Sequence, residues 1–297
     1  MNYLGELAAL GTSLAFSLGS TFFSLAGRRL GATVVNRARL LLSAIFLILL
    51  HWALLGSLLP HAADPQRWLW LGLSGIVGLV LGDIFLFHAF VWIGPRLSML
   101  MMSLAPVIAT LQAWIFLNEK LGGVQLVGIV LTLLGVAWVV LERSGTGARD
   151  HNYARGILYG LGGAIGQATG LVLAKNGLGG EFSAISGNVI RMLVATVVMW
   201  TITLLQRQAG PTLQALRHNR RGVGYMLGGA LFGPIVGVSL SLLAVQRAEV
   251  GIASTLMALP PVFLLPISAV VFKERYGWGV VAGTFIAIAG VAILFLV

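Results

Sequence analysis

The chain has 297 residues, of which 58% are apolar and only 9% charged, and its mean hydropathy is +0.95. An ordinary soluble domain carries about 25% charged residues, and a single core of this size has no room for so much apolar surface. The balance excludes a soluble enzyme, a nucleic-acid binder and a disordered tail, and leaves an all-α polytopic membrane protein. The net charge of +10 comes from 16 Arg and 3 Lys against 9 Asp plus Glu. These cations cluster in short stretches between apolar runs, as in cytoplasmic membrane loops, with no basic face of interleaved aromatics for nucleic acid. Cys is absent, which removes disulfides, thiolate metal sites and Cys nucleophiles. Residues 1–26 lack a charged n-region and run straight into a full span, so no cleavable signal peptide is expected.

In chain order, ten stretches supply the roughly 20 mainly apolar residues that a helical span needs. They are 4–26, 34–55, 68–90, 97–117, 123–141, 156–174, 183–205, 223–245, 251–272 and 278–295. Barrel strands would be about 10 residues long with strict alternation, a pattern missing here. Connections are short, the longest polar stretches being 142–155 and 206–222. A multi-pass protein of the plasma or inner membrane is expected.

Shifted by 155 residues, the second half overlays the first without gaps from Gly78 to Gly135. Gly78 and Gly82 fall on Gly233 and Gly237, Pro106 on Pro261, Glu119 on Glu274, and Gly122, Gly128 and Gly135 on Gly277, Gly283 and Gly290. A shift of 152 matches Asn36 and Arg39 with Asn188 and Arg191, and a shift of 151 matches Gly5 and Gly19 with Gly156 and Gly170. The ordered series implies one five-helix unit in residues 1–141, a connecting loop at 142–155, and a second unit in 156–297. An odd number of helices per unit makes consecutive units enter the membrane from opposite sides. That is an inverted repeat, the architecture of secondary transporters with a site near the midplane between the halves.

The segments Pro106-Val107-Ile108…Leu117-Asn118-Glu119-Lys120-Leu121-Gly122 and Pro261-Val262-Phe263…Phe272-Lys273-Glu274-Arg275-Tyr276-Gly277 share one plan. Each has a proline, an apolar half-helix, a Glu flanked by basic residues, a Gly and a Gly-rich helix. With this duplicated unit over essentially its whole length, the chain resembles the drug/metabolite transporter superfamily of EamA type. The resemblance implies a membrane transporter and leaves the substrate open among amino acids, drugs, nucleosides and other small metabolites.

If the first helix starts on side A, loops on that side hold four Arg and Lys and those on side B hold twelve. The positive-inside rule then puts side B in the cytoplasm and both termini outside; the resemblance pulls toward cytoplasmic termini.

Asp83 is the first site candidate. It falls near the middle of the third span, where an acid costs about 2.5–3.5 kcal/mol on insertion scales and so turns away from lipid. A carboxyl at that depth suits proton exchange or cation recognition; the plainer alternative is a buried Asp bonded to a neighbouring amide or hydroxyl. Its equivalent in the second unit is Val238, so the acid breaks the internal symmetry. His88 lies five residues on, about 140° around the helix, and does not share a face with Asp83; it is a packing residue or a titrating group. Arg39 and Arg191 are expected as paired anchors near opposite membrane faces, snorkelling to the interface, with carboxylate binding or entry gating as the alternative. Asn36 and Asn188, three residues earlier, share the face of each Arg and are placed to hold it.

Gly162, Gly166 and Gly170 form a close-packing face around Gln167, repeated by Gly78/Gly82 and Gly233/Gly237; such faces pack helices and can serve as rocking surfaces. Gln167 is a polar group in need of a partner, substrate included. Gln112 with Trp114, and Tyr225, are further cavity-lining candidates. Pro106 and Pro261 each free the carbonyl four residues back, at Met102 and Met257, and are hinge candidates or simple kinks. Met99, Met101, Met102 and Met257 would supply adaptable wall. Glu119 and Glu274, beside Lys120 and Arg275, read as interfacial salt links and caps.

The expected function is secondary active transport of small organic solutes by alternating access, coupled to a proton or ion or running as exchange. No nucleotide fingerprint is present to couple it to ATP. The alternative on the same fold is a flippase for a lipid or lipid-linked intermediate. No convergent catalytic set and no metal-ligand spacing are seen, so neither enzyme activity nor a cofactor is expected. Ten helices can enclose a cavity in one chain, so a monomer should suffice.

Overall fold

The computed structural model describes residues 3–61, 63–116, 122–144, 151–179, 182–247 and 256–295. Glu119 with Lys120, and residues 251–255 of the ninth expected span, lie outside them. All regular structure among the described residues is helical. Helices α1 (Leu4–Leu30) and α2 (Ala32–Leu55) meet at Gly31, whose φ of 89° is open to glycine. Asp64 then caps the next stretch, its carboxylate accepting from the Arg67 amide at 2.7 Å with Pro65 in the first turn. That stretch runs as α3 (Pro65–Ser74), a π-helical segment (Gly75–Gly82) and α4 (Asp83–Trp92). Beyond Gly94, at φ 77°, come α5 (Gly94–Met102), α6 (Leu104–Phe116) and α7 (Gly123–Ser144).

The second half follows with α8 (His151–Gly177), α9 (Ala184–Leu205) and a short α10 (Ala209–His218), the last of these lying in a stretch read from sequence as loop. Asn219 caps α11 (Arg220–Ala230) through the Gly222 amide at 2.9 Å. A second π-helical segment (Leu231–Gly237), α12 (Val238–Arg247), α13 (Pro260–Val271) and α14 (Trp278–Phe295) complete the described chain. Eight of these helical stretches are long and apolar enough to cross a membrane. Two shorter apolar helices, Pro260–Val271 and Trp278–Ile293, occupy the ninth and tenth expected spans.

The outer faces carry exposed Leu, Ile, Val and Trp, for instance Leu41, Ile45, Leu49 and Trp52 along α2. The interior is rich in small and hydroxylated side chains. In α1, Thr12, Ser17 and Thr21 bond back to carbonyls four residues earlier at 2.7–2.9 Å, so their hydroxyls are satisfied without water. Small interior residues let helix backbones approach closely where the solvent outside is as apolar as the side chains.

Two contacts recur at equivalent positions of the two halves. A Cβ on Gly170 of α8 would stand 2.9 Å from the Gly78 Cα, and one on Gly19 of α1 would stand 3.0 Å from the Gly233 amide. Each half thus lends its first helix to the π segment of the other. The last helices, α7 and α14, cross with the same reciprocity: a Cβ on Gly135 would lie 2.6 Å from the Gly283 carbonyl, and one on Gly290 would lie 2.6 Å from the Gly128 carbonyl. Thr132 and Ala287, which are equivalent to each other, face one another at the crossing, 3.5 Å apart from hydroxyl to carbonyl.

The prolines act differently from the interior kinks expected. Pro106 and Pro261 lie in the first turns of α6 and α13, where a helix has no amide to lose. The chain beside Pro261 is tied to α1 instead, Ser13 donating to the Leu256 carbonyl at 2.5 Å and Ser17 to that of Pro260 at 3.2 Å.

Candidate functional site

A cavity of about 540 Å³ lies where α1, α2, α4, α8, α9 and both π segments converge. Its polar wall holds Ser20, Arg39, Asp83, Gln167, Asn188 and Arg191; its apolar wall includes Phe16, Phe23, Phe87 and Phe90. Asp83 is the first residue after the π segment Gly75–Gly82, and Val238 occupies the same place after the second π segment. A π turn takes up an extra residue and so changes the direction in which the following side chains leave the helix.

Asp83 is only 3% exposed and is held on both oxygens. Arg39 donates from Nη2 to Oδ2, closing an ion pair between α2 and α4. Gln167 donates from Nε2 to Oδ1 at 2.8 Å and also approaches the Gly78 carbonyl at 3.3 Å. Gln167 can stand there because α8 reaches the π segment through glycine: a Cβ on Gly166 would lie 2.6 Å from the Gly82 Cα. Arg39 is steadied by Asn36, whose Oδ1 accepts from Nη2 at 3.1 Å, and its guanidinium sits 5.3 Å from the Phe87 ring centre.

Arg191 enters from α9. Its Nη1 lies 3.4 Å from Asn188 Oδ1, and its Nε is buried without a hydrogen-bond partner. A Cβ on Gly75 would collide with the Arg191 carbonyl, so the π segment is glycine where α9 comes closest. A second cavity of about 530 Å³ adjoins the first, sharing Leu171, Asn188 and Arg191 and adding Lys175 to its wall.

Of the candidates read from sequence, Asp83, Gln167, Arg39 and Arg191 meet at this cavity, with glycines 78, 82, 166 and 170 bringing their backbones together. Reading Arg39 and Arg191 as anchors near opposite faces is corrected: both turn inward to one chamber. His88 stands apart, its Nδ1 2.7 Å from the Ile84 carbonyl and its ring 5.2 Å from that of Tyr159. Gln112 is not among the residues lining this cavity; it donates to Thr169 Oγ1 on α8 at 2.9 Å. Tyr225 packs near Phe22 and Arg29, and Trp114 is half exposed on the outer surface. Gly162 packs on Phe85, whereas Gly233 and Gly237 border the cavity region against Gly19 and Phe16. Of the four methionines expected as wall, Met99 lines the cavity and Met101 belongs to the core under α5.

Sequence reasoning missed the phenylalanine wall, for aromatic residues in membrane helices face lipid equally often. It also placed Arg96 among loop cations and Glu274 beside Arg275. Arg96 is 3% exposed, its Nε 3.0 Å from Glu274 Oε2. Arg37, unassigned by sequence, donates from Nη1 to Thr212 Oγ1 of α10 at 2.9 Å.

The model of the EamA-like transporter family matches the chain twice, over residues 3–141 and 154–296. An uncharacterised transporter of Haemophilus influenzae is 26% identical over 122 residues, a match spanning 39% of this chain and 40% of that protein. One solved crystal structure covers 97% of this chain and 96% of its own at a TM-score of 0.59 and 18% identity, a likeness of fold alone.

Proposed function

The chain belongs to the EamA-like transporter family, and we propose that this membrane transporter is a secondary carrier of small organic solutes working by alternating access. The observation that carries the reading is the cavity of about 540 Å³, built from both halves and furnished with an ion pair, amides and an aromatic wall. Ligand sites of this kind bury an apolar body and orient it with a few convergent polar groups. The two halves are taken as five-helix repeats of opposite topology, residues 1–141 and 156–297 about the loop 142–155. In favour are the reciprocal contacts Gly135–Gly283 and Gly290–Gly128, since a pseudo-two-fold axis exchanges each with the other. The glycine seams between α8 and one π segment, and between α1 and the other, are the surfaces on which the halves rock.

Asp83 is the group whose charge state or partner changes during the cycle. Purified full-length protein in sealed proteoliposomes should exchange or accumulate a labelled solute, and Asp83→Asn should abolish that flux while expressing normally. Movement of a fluorescent lipid between leaflets with no solute flux would replace the carrier by a flippase. The Arg and Lys distribution favours termini outside the cytoplasm, so a reporter that fluoresces only in the cytoplasm should stay dark when fused after Val297. A single chain encloses the whole cavity, which supports a functional monomer.

A further inference from the structure

We infer that the cavity takes a small organic monoanion, an aryl or branched-alkyl carboxylate, with its carboxylate on Arg191 and its apolar body against the phenylalanine wall. The inference rests on the carrier reading above and names its substrate chemistry.

The charge at the site carries it. Among the described residues, three charged side chains face the cavity: Arg39, Asp83 and Arg191. Both Asp83 oxygens are already engaged, one by Arg39 and the other by Gln167. Asp83 and Arg39 cancel, and the site keeps one positive charge on Arg191. That guanidinium has a long contact to Asn188 at 3.4 Å, a buried Nε with no partner, and no carboxylate within ion-pair distance among the described residues. A guanidinium away from water is costly until an opposite charge meets it, and its planar fork accepts a carboxylate on two parallel bonds.

Competing ligand classes fit less well. An organic cation would face two guanidiniums and would have to displace Arg39 from Asp83. A zwitterion would satisfy Arg191 but strand its ammonium, because Asp83, the acid among the described residues that faces the cavity, is taken. A dianion would bring a second charge with no partner. Arg191 stands at the junction of the two chambers, so an anion in either one meets its guanidinium. Phe16, Phe23, Phe87 and Phe90 then offer a body-sized apolar surface beyond the charge.

Four molecules with the same benzyl body test this: phenylacetate, the neutral phenylacetamide, 2-phenylethylammonium and zwitterionic phenylalanine. Binding to the full-length protein in detergent is followed by calorimetry and by thermal unfolding. Phenylacetate should bind at least about tenfold more tightly than the other three, the scale of one charge-assisted hydrogen-bond pair. Arg191→Gln should erase its advantage over phenylacetamide, while Arg191→Lys should retain part of it. Val238→Asp, which gives the second half the acid it lacks, should erase it as well with Arg191 intact. Equal or tighter binding of the cation or of phenylalanine overturns the proposal, as does a preference for phenylacetate that survives Arg191→Gln, or binding of none of the four. The wild-type series decides even if a variant fails to fold. Flux of other solutes in proteoliposomes would then show the carrier reading standing without its anion, whereas absence of any solute flux would remove the carrier reading itself.

Discussion

Arg39 and Arg191 hold equivalent places in the two halves, each with an asparagine three residues earlier turned toward it, yet only Arg39 has an acid. Val238 takes the place of Asp83 in the second half and lines the same cavity, while the Arg191 guanidinium lies against the first π segment, its Nη2 3.5 Å from where a Cβ on Gly78 would stand. The backbone contacts Gly170–Gly78 and Gly19–Gly233 agree to within tenths of an ångström, and both halves bring an arginine, but only the first brings an acid. The difference separates two tasks. A repeated backbone makes two halves that can pack and move alike, while a solute with a head and a tail needs a wall that differs from end to end.

The largest expected effect tests whether that charge asymmetry has energetic content. Asp83→Leu leaves Arg39 buried without its counter-charge and should destabilise the protein by about 3–5 kcal/mol. Val238→Leu, at the equivalent position, should cost less than about 1.5 kcal/mol. The double variant Arg39→Leu/Asp83→Leu should recover most of the loss, because it removes both charges together. Unfolding in detergent measures all three. Equal losses at 83 and 238 would mean that the ion pair contributes nothing beyond packing.

The backbone symmetry is probed at its seams. Cβ atoms placed on Gly166, Gly170 and Gly19 would meet backbone atoms at 2.6, 2.9 and 3.0 Å. Alanine at these positions should cost about 1–3 kcal/mol each, falling in that order, since the neighbour is backbone and cannot turn aside. Thermal unfolding of the three variants checks the ranking. A harmless Gly19→Ala beside a damaging Gly170→Ala would show that the two seams are not equivalent.

Much of this arrangement was legible in the sequence and some of it was out of reach. Apolar runs of span length located the helices, and the 155- and 151-residue shifts picked out glycines that touch across the halves. Asp83 stood out because an acid inside an apolar run has few places to go. The convergence of Arg39 and Arg191 did not show, because helical periodicity gives the face of a residue and not the depth or the neighbour it meets. The π segment Gly75–Gly82 adds to this, since a 3.6-residue phase carried through it misdirects Asp83. Gln112 and Gln167 look alike in sequence, each a lone amide in an apolar helix, and only the tertiary fold sends one to Thr169 and the other to Asp83. Arg96 and Glu274 are 178 positions apart, so no local signal joins them.

Those two amides give the next contrast. Gln112→Leu should cost about 0.5–1.5 kcal/mol through the hydrogen bond lost to Thr169 and should leave transport unchanged. Gln167→Leu loses a bond to Asp83 and should lower transport, because Asp83 Oδ1 is then left without its donor and the ion pair with Arg39 is less firmly placed beside the cavity. Proteoliposome flux, normalised to folded protein, separates the two; equal loss at both positions would detach function from the cavity.

The smallest effect is expected at His88, and it is the most exacting test of where the site ends. Only five residues separate it from Asp83, yet its ring packs at a tilt against Tyr159 and its Nδ1 is bound to the helix backbone, outside the wall of the cavity. His88→Gln should forfeit the ring contact, worth about 0.5–1.5 kcal/mol of stability, with no change in flux or in its dependence on pH. A titrating partner of Asp83 would behave otherwise, because removing it would shift the pH profile even where the maximal rate held. A shifted profile in His88→Gln would extend the polar path beyond Asp83 and make the ion pair with Arg39 one link in a longer chain.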